Sequence, residues 1–396
     1  MLLKNIFKAA LLAVLSMVLF ALGCNLFPSD SDSQLPLKDV TNQADYLIVS
    51  PNNFINDLKP FVEFKQAKGL NIRVTSLEQI YNEFPVDSLN AESIRDFISY
   101  TLQFWQTPKP KYVLLAGDTD IIPIFKLPSS FANISNDIIQ TREDSVSLDE
   151  PYSINTFQQD SIPDIAVGRF PVSTTEALSN LITKTIQFEQ TLPQLYASKL
   201  LMLVDESEDF NNFFEQWAEG LLNNSLNNIE GIQRVDIREN SNFHSDKGTL
   251  FQKIKAGTYV FSYMGFGSSS SLSRTNFITL DDINQLNETQ KLFMAFLFTS
   301  SQYYDITNEK SIVEKMLNIP NGGAVVSIAP TGLAFASLLR RFSQKLFENL
   351  NAYQSIGEVF LLTKQEVLSE QGPSLRADDT LRRFSLLGDP SLTINF

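Results

Sequence analysis

From Asp45 onward, short apolar runs alternate with segments whose apolar residues recur every three or four positions. That alternation predicts parallel strands joined by crossover helices: an α/β protein with mostly parallel sheets flanked by helices. Tyr46-Leu47-Ile48-Val49 reads as the first strand, residues 54–68 as a helix closed by Gly69, and residues 70–75 as the next strand. Residues 91–106 place Ile94, Phe97, Ile98, Thr101, Leu102 and Trp105 on one helical face. The run 112–116 is apolar throughout, as a strand buried on both faces should be, and ends at Gly117-Asp118. Residues 128–160 are polar and aperiodic and read as a long loop. A strand follows at 165–168. Ser173-Thr174-Thr175-Glu176 then has the Ser-x-x-Glu form of a capping box, which predicts a helix reaching about Gln190.

The alternation restarts near Leu200. Strands are expected at 200–204, 259–263, 292–298 and 323–328, and helices at 210–222, 311–317, 333–350 and 356–368. A late strand is expected at 392–396. The pattern divides the chain into two α/β units, residues 44–190 and 197–396, each of ordinary domain size.

Ahead of residue 44 the pattern changes. Lys4 and Lys8 precede an uncharged, mostly apolar stretch that ends at Gly23-Cys24. At about 15 residues it is shorter than the roughly 20 that a spanning helix needs. A basic start, an apolar middle and small residues at the end read as an export signal over residues 1–24. Ala21-Leu22-Gly23-Cys24 resembles a bacterial lipobox, which makes Cys24 the expected lipidation site. The expected partner is therefore a membrane of the bacterial cell envelope, since several acyl chains together anchor stably. Residues 25–43, with Pro28, Pro36 and the Ser/Asp run 29–33, read as a flexible tether.

Composition narrows the chemistry. Lys plus Arg total 31 against 45 Asp plus Glu, a formal charge of -14 with no basic stripe, so phosphate backbones are repelled and nucleic acid is not an expected partner. With one cysteine, Cys24, and one histidine, His244, neither an intramolecular disulfide nor a zinc site of the Cys or multi-His kind is possible. No cofactor is expected. Gly265-Phe266-Gly267 follows a strand but lacks the third glycine of a dinucleotide loop, and serines follow where a helix should start. Asp118 and Asp120 stand at a strand's carboxyl end, where open α/β sheets gather ligands, and are candidates for a cation or for paired carboxylates; a solvated turn is the alternative. Arg169 is a candidate for holding a carboxylate or for an ion pair between the two units.

Six segments, in order, resemble peptidase family C25, the gingipain family of cysteine peptidases. They are Asp45-Tyr46-Leu47-Ile48-Val49 with Lys68-Gly69-Leu70; Ala91-Glu92-Ser93-Ile94-Arg95-Asp96-Phe97-Ile98; Tyr112 to Asp118; Asp164-Ile165-Ala166-Val167-Gly168-Arg169-Phe170-Pro171; Asn321-Gly322-Gly323-Ala324-Val325-Val326 with Ala329-Pro330-Thr331-Gly332; and Leu386-Leu387-Gly388-Asp389-Pro390. The resemblance implies two caspase-like α/β subdomains with the chemistry in the second. It also implies a nucleophilic Cys at one strand end and a His in a Tyr-x-Gly-His-Gly-Ser stretch after the preceding strand. This chain has Tyr263-Met264-Gly265-Phe266-Gly267-Ser268, so Phe266 stands where the resemblance places the imidazole. Thr299 or Ser300, according to a one-residue choice of register, stands where it places the thiol. A phenyl ring takes no proton, and a hydroxyl is a poor nucleophile without an adjacent base. The expectation is a tethered C25-like domain that has lost its catalytic pair and binds a peptide or protein. The rivals are a hydrolase using Ser300 or Thr299, with His244, or a Lys or a carboxylate such as Asp305, as base, and a structural envelope protein.

Overall fold

The apolar runs enter one sheet. The computed structural model describes residues 35–86, 91–130, 143, 145–287, 289, 291–300, 302, 310–371 and 375–396; the expected export signal, Cys24 and the expected tether up to residue 34 lie outside them. The strands are β1 (Tyr46–Ser50), β2 (Ile72–Ser76), β3 (Tyr112–Ala116), β4 (Phe125–Pro128), β5 (Ser145–Leu148), β6 (Ala166–Phe170) and β7 (Ser198–Val204). They continue as β8 (Ile232–Asp236), β9 (Thr258–Met264), β10 (Ser271–Leu272), β11 (Ile278–Thr279), β12 (Phe293–Phe298), β13 (Ala324–Pro330) and β14 (Phe384–Leu387). Ten of them form a mixed sheet in the order β2-β1-β3-β6-β14-β13-β12-β9-β7-β8. Every pairing in it is parallel except β13 with β14.

The sheet consists of two parallel blocks, β2-β1-β3-β6-β14 and β13-β12-β9-β7-β8, running in opposite directions and meeting at the β13–β14 seam. The last strand does the joining. β14 lies antiparallel to β13 and pairs with β6 through Leu387 and Arg169. Gly388, at φ +133°, then turns the chain out of the sheet where a side chain would be strained.

Several local expectations are corrected. The first helix runs Lys59–Ala67 after a short 3-10 turn at Asn52–Phe54, because Pro60 has no N–H to donate and fits only the opening turn. The helix Thr175–Gln190 is capped by Thr174, whose Oγ1 accepts from the Ala177 N–H at 3.1 Å; Ser173 instead donates to Asp118 Oδ2 at 3.2 Å. The 128–160 stretch is not all loop. It holds β5, which pairs antiparallel with β4, and a 3-10 turn at Glu150–Ser153 pinned by buried Tyr152, which donates to the Pro123 carbonyl at 2.5 Å. Residues 392–396 form no strand; Thr393 makes a single bridge to Ser355. The capping box at Ser311, with Glu314, starts the helix Ile312–Asn318.

One face of the second block packs Phe296, Phe298 and Met264 against Trp217, Phe342 and Phe347 from the helices Phe213–Asn223 and Ala336–Asn349. Phe342 stacks on Phe384 of β14 with centroids 3.8 Å apart, so the seam is also sealed by apolar contact. Among the described residues, no helix is long and apolar enough to cross a membrane.

Two buried lysines brace the helix Thr175–Gln190. Lys65 Nζ lies 2.5 Å from Glu189 Oε1 and 2.5 Å from Asp389 Oδ2, and Tyr46 donates to Asp389 Oδ1 at 2.7 Å. Burial pulls this ammonium down, but Asp389 and Glu189 more than reverse it and hold its pKa above the usual lysine value. Lys184 donates to the Leu317 and Ile319 carbonyls at 2.7 and 2.9 Å, at the carboxyl end of the helix Ile312–Asn318. Burial lowers its pKa from 10.5 to about 7. Between those values the unfolded chain binds more protons than the native one, so Lys184 makes stability rise as pH rises from about 7. Urea midpoints should therefore climb for the wild type relative to Lys184→Met between pH 7 and pH 9.5. A gap that stays constant would mean Lys184 titrates as an exposed lysine does.

Candidate functional site

In the second block the chain steps from β7 outward to β8, then back across to β9 and on to β12. The carboxyl ends of β7 and β9 thus flank a topological switch point, where open α/β sheets leave a crevice for ligands. β7 runs out into Asp205, β9 into Gly265-Phe266-Gly267, and neighbouring β12 into Thr299-Ser300. The sequence-predicted Phe266, Thr299 and Ser300 are thereby brought to adjacent strand ends.

Asp205 organises the crevice. Its Oδ2 accepts the Phe266 N–H at 3.0 Å and its Oδ1 accepts the Glu206 N–H at 2.9 Å. The buried Tyr263 hydroxyl lies 2.9 Å from Asp205 Oδ2 and 2.6 Å from the Phe266 carbonyl. Burial pushes the Asp205 carboxyl up, against lowering by hydrogen bonds from Ser273, Phe266 and Tyr263. Its oxygens are committed to holding the loop. The glycines on either side of Phe266 serve close approach: a Cβ at Gly265 would strike Asp205 and Tyr263, and one at Gly267 would stand 2.6 Å from Thr299 Oγ1.

That hydroxyl sits under the loop. Thr299 is fully buried and its Oγ1 has no hydrogen-bond partner. Ser300 is half-buried. Beyond it Gln302 donates its amide to the Ser268 carbonyl at 2.6 Å, while its Oε1 is buried without a partner. The half-buried Phe266 ring meets Phe214 edge-on at 4.9 Å and Phe210 at 5.5 Å, and the Arg274 guanidinium lies 3.7 Å from its centroid. The arrangement can grip a ligand by aromatic faces and carboxylates; its central ring can neither take nor give a proton.

The other sequence candidates lie elsewhere. His244 is exposed and bridges Asp236 at the end of β8, two strands from β9. Asp305 lies outside the described residues. Asp118 accepts the Lys310 ammonium at 2.6 Å, where a cation would have stood, and Asp120 is exposed; no group of three or more His, Cys, Asp or Glu suited to a metal occurs among the described residues. Arg169 is wholly buried and forms a bidentate pair with Asp149 at 2.7 and 2.6 Å, with Nη1 on the Gly117 and Ile122 carbonyls. It holds a carboxylate of its own block, so the pair between units is corrected. Asp205 was missed, although it follows the apolar run 200–204 just as Asp118 follows 112–116. Arg274, in a polar stretch, gave no signal.

The sequence matches peptidase family C25 over residues 39–395. Among solved structures, the chain is similar to the Arg-specific cysteine proteinase gingipain R, with TM-score 0.70 and 20% identity over 91% of this chain and 80% of that one. It is also similar to the complex of the Porphyromonas gingivalis RgpB pro- and mature domains, with TM-score 0.69 and 20% identity over 88% of this chain and 79% of that one. These likenesses show the caspase-like gingipain fold. An uncharacterized protein of Archaeoglobus fulgidus is 24% identical over 159 residues; the match covers 36% of this chain and 35% of that relative's length.

Proposed function

We propose, from the premise that the chain belongs to peptidase family C25, that it is a lipid-tethered member whose catalytic pair is lost and whose crevice binds a peptide or protein. The observation that carries this reading is Phe266 at the end of β9 with Thr299 and Ser300 at the end of neighbouring β12. A phenyl ring stands at the strand end where the family resemblance calls for an imidazole, and the Thr299 hydroxyl is buried beneath Gly267 without a partner. The crevice keeps its shape because Asp205 and Tyr263 hold its loop, which suits recognition without turnover. Nucleic acid is not the ligand of so acidic a chain, and no cofactor enters the proposal.

Fluorescence anisotropy with a library of unstructured peptides, using the full chain in detergent, tests the binding role. Saturable binding to intact peptides is expected; a chain that binds none of them fits the structural envelope protein instead. The tether has its own test. Labelled palmitate should enter the protein in a bacterial host and disappear in Cys24→Ala, and incorporation that survives the substitution refutes the lipobox.

A further inference from the structure

The crevice opens into a mouth walled by Asp205, Glu206, Glu208 and Asp209, together with one cation, Arg274. Arg274 rides on the turn between β10 and β11, and that turn is fastened to the crevice loop. The Ser273 N–H donates to the Phe266 carbonyl at 2.8 Å, and Leu272 bridges Gly267. So placed, the guanidinium covers the Phe266 ring at 3.7 Å and faces the Phe210 ring at 5.1 Å, while Nη1 donates to Asp209 Oδ2 at 2.5 Å. A planar cation lying on aromatic faces beside a carboxylate is how a protein holds a guanidinium ligand. Here the cation is part of the chain. It is only partly covered: the side chains of Arg274 and Asp209 are 46% and 60% exposed, and an ion pair in water opens readily.

We propose that Arg274 occupies the mouth in cis, as a tethered head group that a ligand must displace. The occupancy is read from the geometry alone; its consequence for peptide ligands rests on the binding role proposed above. A tethered group competes at an effective concentration on the order of millimolar, so free cations of the same chemistry are kept out while it is present. Removing it exposes the Phe266 and Phe210 faces and frees Asp209.

The test titrates methylguanidinium into the full chain in detergent, by calorimetry, for the wild type, Arg274→Ala and Arg274→Gln. Thermal melting serves as the fold control. Both variants should bind at least about tenfold more tightly than the wild type, the gain expected when a tethered competitor is removed. Adding Asp209→Asn to Arg274→Ala should cancel the gain. Equal affinity in all three proteins overturns the proposal. The peptide library run on the same proteins separates the two readings. Peptides bound as tightly by the wild type as by Arg274→Ala overturn the claim that a ligand must displace Arg274 and leave the binding role standing. Methylguanidinium gained by Arg274→Ala without any peptide binding supports the occupancy and removes the binding role.

Discussion

Lys65→Met should cost about 3–5 kcal/mol of stability, the range for breaking a buried ion pair by removing one partner. The ammonium is wholly buried and serves two carboxylates that are themselves fully buried, Glu189 and Asp389. Glu189 retains Lys68, an exposed lysine, and the Thr393 N–H; among the described residues, Asp389 retains hydroxyl and backbone donors, from Tyr46 and Ser391. A methionine fills the space but leaves an uncompensated charge in a low-dielectric site, which is the costly outcome. The cluster ties the helices Lys59–Ala67 and Thr175–Gln190 to the segment that leaves β14, so the damage falls on the seam between the two blocks. Combining Lys65→Met with Glu189→Gln and Asp389→Asn should recover part of the loss by removing the stranded charges. Denaturation by urea, followed through tryptophan fluorescence, measures both. A single-variant loss below about 1 kcal/mol, the scale of a surface pair, would show the cluster to be solvated.

How much of this was legible depended on where the driving force lay. Strands β3 and β12 are continuous apolar runs, and β1, β9 and β13 nearly so, because both their faces are covered, and that is written in the residues themselves. β8 was not legible: Ile232-Gln233-Arg234-Val235-Asp236 is an edge strand with only two apolar residues, made a strand by pairing with β7. β14 is four residues long, and its antiparallel insertion follows from the two neighbours it finds rather than from any local pattern. The crevice divides the same way. Phe266, Thr299 and Ser300 were found because strand ends are visible and the family resemblance pointed to them. Arg274 was invisible because a two-residue hairpin carries no periodicity, and only tertiary folding lays its guanidinium on Phe266. The Asp118 pairing with Lys310 spans 192 residues and leaves no trace in either neighbourhood.

Restoring both halves of the proposed lost pair should produce activity where either half alone does not. A histidine at position 266 without a thiol would activate only a hydroxyl. A cysteine without an imidazole stays mostly protonated near neutral pH, since an unperturbed thiol has a pKa of about 8.5. Such pairs act as a unit, so the two single effects do not add. Of the two registers, Phe266→His with Ser300→Cys is the one expected to work, because Ser300 is half-buried whereas Thr299 is sealed beneath Gly267. The expected result is peptide cleavage in that double variant, no cleavage in Phe266→His or Ser300→Cys alone, and little in Phe266→His with Thr299→Cys. Activity appearing in Ser300→Cys alone would mean that a base other than position 266 serves the site.

The proposed loss of the catalytic pair is tested most directly by assaying the unmodified full chain, in detergent, against fluorogenic unstructured peptides. Thr299→Ala and Ser300→Ala are run beside it. The account predicts no cleavage above the buffer rate in any of the three, because no imidazole or other free base meets either hydroxyl among the described residues. Cleavage by the wild type that Thr299→Ala or Ser300→Ala abolishes would contradict it.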